Sequence, residues 1–294
     1  MLSLILPAII AMQAPQPAPQ YRIEKLRDNV YCVFGQGGNV GVIVGDDYLL
    51  LVDGQYERGL GDLLTAVKKI SDKPIKYLIN THHHGDHTDA NRMLSYMVDG
   101  IIAHTITRTR LAKELENRDT GRKGGLPNIL MGEADTKKEA GMSLALNSSE
   151  INLTYLGPGH TDNDITVWVP SARVIHMGDL LFLERLPYID TGAGGSFDSL
   201  IQVIAKTLSK LPDDALVIPG HGPTCDKKEL ARHHAFLVAV QQHANKNKGK
   251  TSKEMADSFD KEPWKDKEPS PSFVSWESLF DAATDRGPGR VVRN

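Results

Sequence analysis

Hydrophobic and polar positions divide the chain into short blocks. Val30–Phe34, Val40–Val44 and Tyr48–Val52 are brief runs of β-formers, interrupted by the glycine-rich residues 35–38 and by the turn Gly45-Asp46-Asp47. Such runs bounded by turn residues predict strands. Leu60, Leu63, Leu64, Val67 and Ile70 then recur at helical spacing, which predicts a helix over residues 60–70. Pro74 breaks it, and Ile75–Ile79 and Gly100–Ala103 predict further strands, with a helix beginning near Asp89 between them.

The second half repeats the rhythm. Strands are expected at Ile151–Leu156, Ile165–Val169, Val174–Met177 and Ala215–Ile218, and helices at Ser199–Leu211 and Lys227–Asn245. Strand, polar loop, helix, strand is the α/β pattern, in which functional groups gather at strand ends. Residues 105–149 are polar and charged, with a helix expected near Thr107–Glu116. This stretch reads equally as a lid or binding loop and as a flexible surface excursion. Beyond Lys246 lies a mixed-charge tail with one helix expected at Phe273–Ala283.

The chain has 294 residues, 40% hydrophobic and 24% charged, with a net charge of −3. No long basic run interleaves with aromatics, so a nucleic-acid partner is not expected. The apolar run from Leu2 to Met12 is too short to span a bilayer. With the Pro/Gln/Ala stretch behind it, residues 1–20 read as an export leader and spacer, which places the mature chain in the periplasm or outside the cell. The alternative is a disordered or mis-started N-terminus. The expected organisation is leader 1–20, catalytic domain 21–245 and C-terminal tail 246–294. Of the two cysteines, Cys32 and Cys225, neither belongs to a CxxC motif, so no thiolate metal site is expected. Two separate thiols fit that spacing, and so would a bridge in an exported chain.

The chemistry concentrates after the strand at Ile75–Ile79. His82, His84, Asp86 and His87 supply four N/O donors within six residues, in a chain with 11 histidines. His82 and His84 alternate, so in extended chain they point the same way and His83 the other. Three further donors share a context. His160 follows Gly157-Pro158-Gly159, Asp179 follows a strand and Gly178, and His221 follows Pro219-Gly220. Such a His/Asp mixture suits Zn²⁺. Asp53, at the end of Leu49–Val52, is expected to fix the ligand loop, or simply to cap a turn. Arg185, Tyr188 and Asp190 could line a pocket, and Gly192–Gly195 could admit a ligand to the backbone; an ordinary loop explains them as well.

These motifs resemble those of the metallo-β-lactamase-fold hydrolase superfamily: T-H-x-H-x-D-H stands as Thr81–His87, followed by Gly159-His160-Thr161, Gly178-Asp179 and Gly220-His221-Gly222. The resemblance covers about Tyr21 to Asn245. It implies an αββα four-layer sandwich with metals at one edge. It assigns His82, His84 and His160 to one ion, Asp86, His87 and His221 to a second, and Asp179 as the bridge. Two zinc ions per chain are implied, with iron or manganese as alternatives. The di-iron branch carries Glu where His84 stands, which argues against redox chemistry. Well-known β-lactamases of the superfamily carry Cys or Ser in place of Asp179, and some carry a substrate-binding Lys where Phe182 stands. The resemblance therefore implies a hydrolase acting on a small-molecule ester, lactone or thioester, which the leader reading would make an exported one. In it a metal-bridged hydroxide attacks the carbonyl and Asp86 orients that nucleophile or relays its proton. The alternatives are a β-lactamase and a metal-binding protein without turnover.

Overall fold

The structure, a computed structural model, describes residues 21–117, 124–146, 149–269 and 274–285; the leader read at residues 1–20 lies outside them. Strands β1 (Arg22–Arg27), β2 (Val30–Phe34), β3 (Val40–Val44) and β4 (Leu49–Val52) form an antiparallel meander. Helix α1 (Leu60–Ile70) leads to β5 (Ile75–Ile79), and two single turns, α2 (Gly85–Thr88) and α3 (Asn91–Leu94), lead to β6 (Gly100–His104). Helix α4 (Thr105–Asn117) precedes β7 (Ile129–Met131), and β4 to β7 run parallel. These seven strands form the first sheet in chain order.

The second sheet holds β8 (Ala140–Leu146), β9 (Ser149–Tyr155), β10 (Thr166–Val169), β11 (Val174–Phe182), β12 (Leu216–His221) and β13 (Cys225–Asp226), with spatial order β13-β12-β11-β10-β9-β8. Helix α5 (Phe197–Lys210) connects β11 to its parallel neighbour β12. The chain continues through α6 (Lys227–Lys246), α7 (Ser252–Ser258) and α8 (Trp276–Ala283).

Strand alternation sorts the apolar residues into layers. Cys32, Ile43, Leu50 and Val52 meet Leu153, Val167, Val169 and Ile218 between the sheets. Val33, Val42, Leu49 and Leu51 face outward onto Leu63, Ala66 and Val67 of α1. On the far side Met177, Leu181 and Val217 pack under α5 and α6, joined there by Met255, Phe259, Leu279 and Phe280. Both faces of both sheets are therefore covered, giving an αββα sandwich. Because the central strands are apolar on both faces, they read as continuous hydrophobic runs.

Three differences from the sequence reading stand out. Residues 105–149 hold β7 and β8, the edge strands of the two sheets, as well as α4. The segment after Lys246 carries two helices, α7 and α8, and their apolar faces lie in the same core as α5 and α6. The expected helix from Asp89 is the single turn α3. Cys32 and Cys225 are both free thiols, Cys32 deep between the sheets.

Candidate metal centre

The parallel strands β4 and β5 end beside each other, and β11 and β12 end beside each other in the opposite sheet. Asp53 follows β4, His82–His87 follow β5, Asp179 lies in β11 and His221 closes β12. His160 comes from the loop between β9 and β10. All seven candidate donors converge at this one edge. His82, His84, His160 and Asp179 each offer an atom within 4.8 Å of the others, and so do Asp86, His87 and His221.

Asp179 connects the two groups. Its Oδ2 lies 3.8 Å from His82 Nε2 and 3.5 Å from His160 Nε2. Its Oδ1 lies 3.1 Å from His87 Nε2 and 3.5 Å from His221 Nε2. Asp86 Oδ2 completes the second side, 3.1 Å from His221 Nε2 and 3.7 Å from His87 Nε2. Asp179 sits on irregular backbone. Gly178 has φ 51°, and the register with β12 shifts on both sides of it, so the carboxylate is turned to the edge from within a buried strand. Gly220 lies against it: a Cβ there would meet Asp179 Oδ1 at 1.9 Å.

Hydrogen bonds around the rings fix which nitrogen faces the centre. Thr81 donates its N–H to Asp53 Oδ1 (2.8 Å) and its hydroxyl to Asp53 Oδ2 (2.8 Å). That hydroxyl can then only accept from His82 Nδ1, 3.0 Å away. His87 Nδ1 donates to Asp53 Oδ2 at 2.7 Å. His160 Nδ1 donates to the Tyr188 carbonyl at 2.7 Å, and His84 Nε2 donates to Asp190 Oδ2 at 2.9 Å. The outer nitrogens of His82, His84, His87 and His160 therefore carry a proton, so wherever one of these rings is neutral its inner nitrogen presents a lone pair.

His84 Nδ1 and His160 Nε2 face each other at 2.9 Å. His82 Nε2, His87 Nε2 and Asp179 Oδ1 are buried without a hydrogen-bond partner. Lone pairs that face each other in this way repel, and buried unpaired polar atoms are costly. A cation removes both penalties, so the donor set fits divalent metal.

The charge balance leads to the same conclusion. Burial pushes His82 well below its usual value and His160 down to about 4, keeping both neutral as donors. On the other side burial also acts downward, but Asp179 and Asp86 hold His221 up at about 9 and His87 well above its usual value. Against burial, His221, His87 and His82 keep Asp179 well below the usual carboxylate range. The carboxylates draw positive charge to this side.

His83 turns away, as its alternation predicted. Its Nδ1 accepts from Asn163 Nδ2 at 3.1 Å and its Nε2 lies 3.8 Å from Glu114. Asn163 Nδ2 also donates to Asp162, and Arg110 of α4 pairs with Asp162 through two nitrogens. Helix α4 is thereby tied to the His160 loop. Phe182 stacks on His221 with centroids 5.3 Å apart, and Tyr188 lies 6.2 Å from His84. Tyr188 and Asp190 therefore reach the centre, whereas Arg185 is exposed and its backbone pairs with that of Glu268. Gly195 is needed for a different approach than expected, since a Cβ there would strike the His160 carbonyl at 2.2 Å. The Asp190–His84 bond joins residues 106 positions apart and had no local signal. The link from Thr81 to His82 could have been suspected from adjacency alone.

An αββα sandwich with a His/Asp metal cluster at its strand-end edge defines a class of metal-dependent hydrolases. The sequence profile of the metallo-beta-lactamase superfamily matches residues 33–221, and the chain belongs to that family. It is 28% identical over 180 residues to a metallo-beta-lactamase type 2 of Bacillus sp. (strain 170), covering 61% of this chain and 64% of that protein. It is also 28% identical over 207 residues to a probable metallo-hydrolase of Bacillus subtilis (strain 168), covering 68% of this chain and 92% of the relative. The chain thus spans just under two thirds of the first of these relatives. Among solved structures, a metallo-beta-lactamase from Pontibacter korlensis superposes with a TM-score of 0.60 at 19% identity, over 74% of this chain and 99% of that one.

Proposed function

We propose that the chain is a dinuclear zinc hydrolase acting on a small carbonyl substrate, with an ester, lactone or thioester preferred. The observation that carries this reading is the division of Asp179, whose two oxygens face two separate donor groups. His82, His84 and His160 would hold one ion and Asp86, His87 and His221 the other, with Asp179 between them. Two ions held there supply a Lewis acid for the carbonyl oxygen and lower the pKa of water toward neutrality. Asp86 can take up or return a proton at the reacting water, since its side chain is the most exposed of the second group. Phe182 and Tyr188 supply apolar walls beside His221, His84 and His160, which exclude bulk water and pack an acyl or ring group. The leader read at residues 1–20 adds export to the reading.

Two observations bear on the choice of carbonyl. Phe182 offers no cation for the carboxylate of a lactam drug, and Arg185, which might have replaced one, is an exposed residue. A partly buried ion pair of that kind contributes on the order of 1–3 kcal/mol to binding. The second reading, lactam hydrolysis, is favoured by the likeness to metallo-beta-lactamases of Bacillus. Zinc-loaded protein assayed on lactones, thioesters, aryl esters, penicillins, carbapenems and phosphodiesters decides between them. The expected result is kcat/KM highest on an ester, lactone or thioester, abolished by chelator and restored by Zn²⁺. A penicillin or carbapenem turned over faster than all of these reverses the ranking, and two ions held without turnover of any substrate leaves a metal-binding protein.

A further inference from the structure

We propose that Asp190 is the positioning residue that turns His84 Nδ1 toward the centre, an inference that rests on the metal-hydrolase reading above. His84 differs from its neighbours in presenting Nδ1 inward, whereas His82, His87, His160 and His221 present Nε2. An imidazole whose outer nitrogen has no acceptor can exchange tautomers or rotate, and its inner lone pair is then lost. Asp190 Oδ2 removes that freedom, because an acceptor-only carboxylate 2.9 Å from Nε2 requires the proton there.

Asp190 is itself held. Its Oδ1 accepts from the Ala193 N–H at 3.0 Å, so both oxygens are committed and the carboxylate cannot swing. Its backbone N–H donates to the His160 carbonyl at 2.8 Å, and its carbonyl accepts from Gly195 N–H at 2.8 Å. Two residues earlier, the Tyr188 carbonyl takes the His160 Nδ1 proton. One short segment, Tyr188–Asp190, therefore sets the ring orientation of both His84 and His160. It brings their two inner nitrogens to 2.9 Å.

His83, His84 and Asp190 also lie close enough to hold an ion of their own. However, Asn163 Nδ2 donates to His83 Nδ1, since the acceptor-only Asp162 orients that amide, and this leaves His83 Nε2 protonated. His84 Nε2 is already occupied by Asp190. Two of the three atoms are thus donors, and the geometry favours positioning over a third site.

The test measures zinc affinity by chelator competition in the wild type and in Asp190→Ala and Asp190→Asn. Each is also made in a His221→Ala background, where only the first donor group is complete. Loss of an outer partner of a metal-binding histidine costs roughly 10–100-fold in affinity, and Asp190→Ala is expected to show that loss at the first group. Asp190→Asn, which keeps an acceptor oxygen, is expected to lose less. In ¹⁵N-histidine-labelled, zinc-loaded protein, the hydrogen-bonded Nε2–H resonance of His84 should be present in the wild type and lost or shifted in Asp190→Ala. Simple loosening of the loop would not produce that change. Affinities within about threefold of wild type in both variants overturn the proposal, as does a third bound zinc that both Asp190 variants abolish. A wild type holding a single ion at the first group overturns the two-ion reading instead, and the same Asp190 comparison still applies to that ion.

Discussion

Replacing Asp53 with Asn hardly alters side-chain volume but breaks a chain of proton positions. Asp53 is fully buried with φ 67°, and its two oxygens accept from Thr81 N–H, the Thr81 hydroxyl and His87 Nδ1–H at 2.7–2.8 Å. An Asn at this position can place its amino group in either of two ways. Toward Thr81 N–H it sets donor against donor and leaves a buried backbone N–H unpaired, at a cost of about 1–3 kcal/mol. Toward Thr81 Oγ1 and His87 Nδ1 it reverses the network. The Thr81 hydroxyl must then donate to His82 Nδ1, and His87 Nδ1 must accept. Both rings move their proton to Nε2, the nitrogen that faces Asp179. One ligand in each donor group is thereby disabled. Metal affinity should fall roughly 10–100-fold, or about 1.4–2.7 kcal/mol, at each. Asp53→Ala should cost more folding stability, because three buried donors lose their acceptor. Chelator competition and thermal melting of the zinc-loaded variants provide the assay. An Asp53→Asn protein that binds both ions within twofold of wild type would refute the tautomer argument.

Other expectations follow from the same geometry. Gly220→Ala places a Cβ 1.9 Å from Asp179 Oδ1 and within 2.8 Å of the Gly178 and Asp179 backbone, so side-chain movement alone cannot relieve it. It should destabilise the fold by about 1–3 kcal/mol and weaken both ions, measurable by melting and metal titration; an unchanged metal affinity would place the collision elsewhere. His104 is buried against Tyr155, and burial pushes it down to about 4 despite Asp162. Its unfolded state binds the proton first, so its contribution is present above pH ~6.5 and is lost as pH falls from there toward 4, by on the order of 3 kcal/mol. In metal-free protein the stability of His104→Gln should therefore fall less steeply over that window than that of the wild type; parallel profiles would contradict it.

Much of this site was legible because its donors are adjacent in sequence or flanked by glycine and proline at the ends of apolar runs. Thr81–His87 announces itself, and Gly159-His160 and Gly220-His221 mark tight backbone at the site edge. Asp179 was found for a partly mistaken reason. It lies inside β11, which runs on to Phe182 through a bulge at Gly178, and a glycine within an apolar run does not distinguish a bulge from a strand end. Strands β7 and β8 were hidden differently. Ile129–Met131 is too short for any period, and β8 interleaves Met142, Leu144 and Leu146 with Gly141, Ser143 and Ala145, whose small side chains blur the alternation. Of the helices after Lys246, α8 was expected, but α7 is a short helix in charged chain whose apolar face makes sense only against the core it shares with α5 and α6. Asp190 was legible only as a possible pocket residue; its bond to His84 was not, because it depends on a contact between residues 106 positions apart.

The central claim is that two metal ions share Asp179, and elemental analysis of zinc-loaded protein after removal of free metal tests it most directly. Wild type should retain close to two ions per chain. Asp179→Ala should lose affinity for both, whereas His83→Asn, altering a ring that faces Asn163 and Glu114, should retain them. A wild type that retains one ion at most, or an Asp179→Ala protein that retains two as firmly as wild type, would contradict the claim.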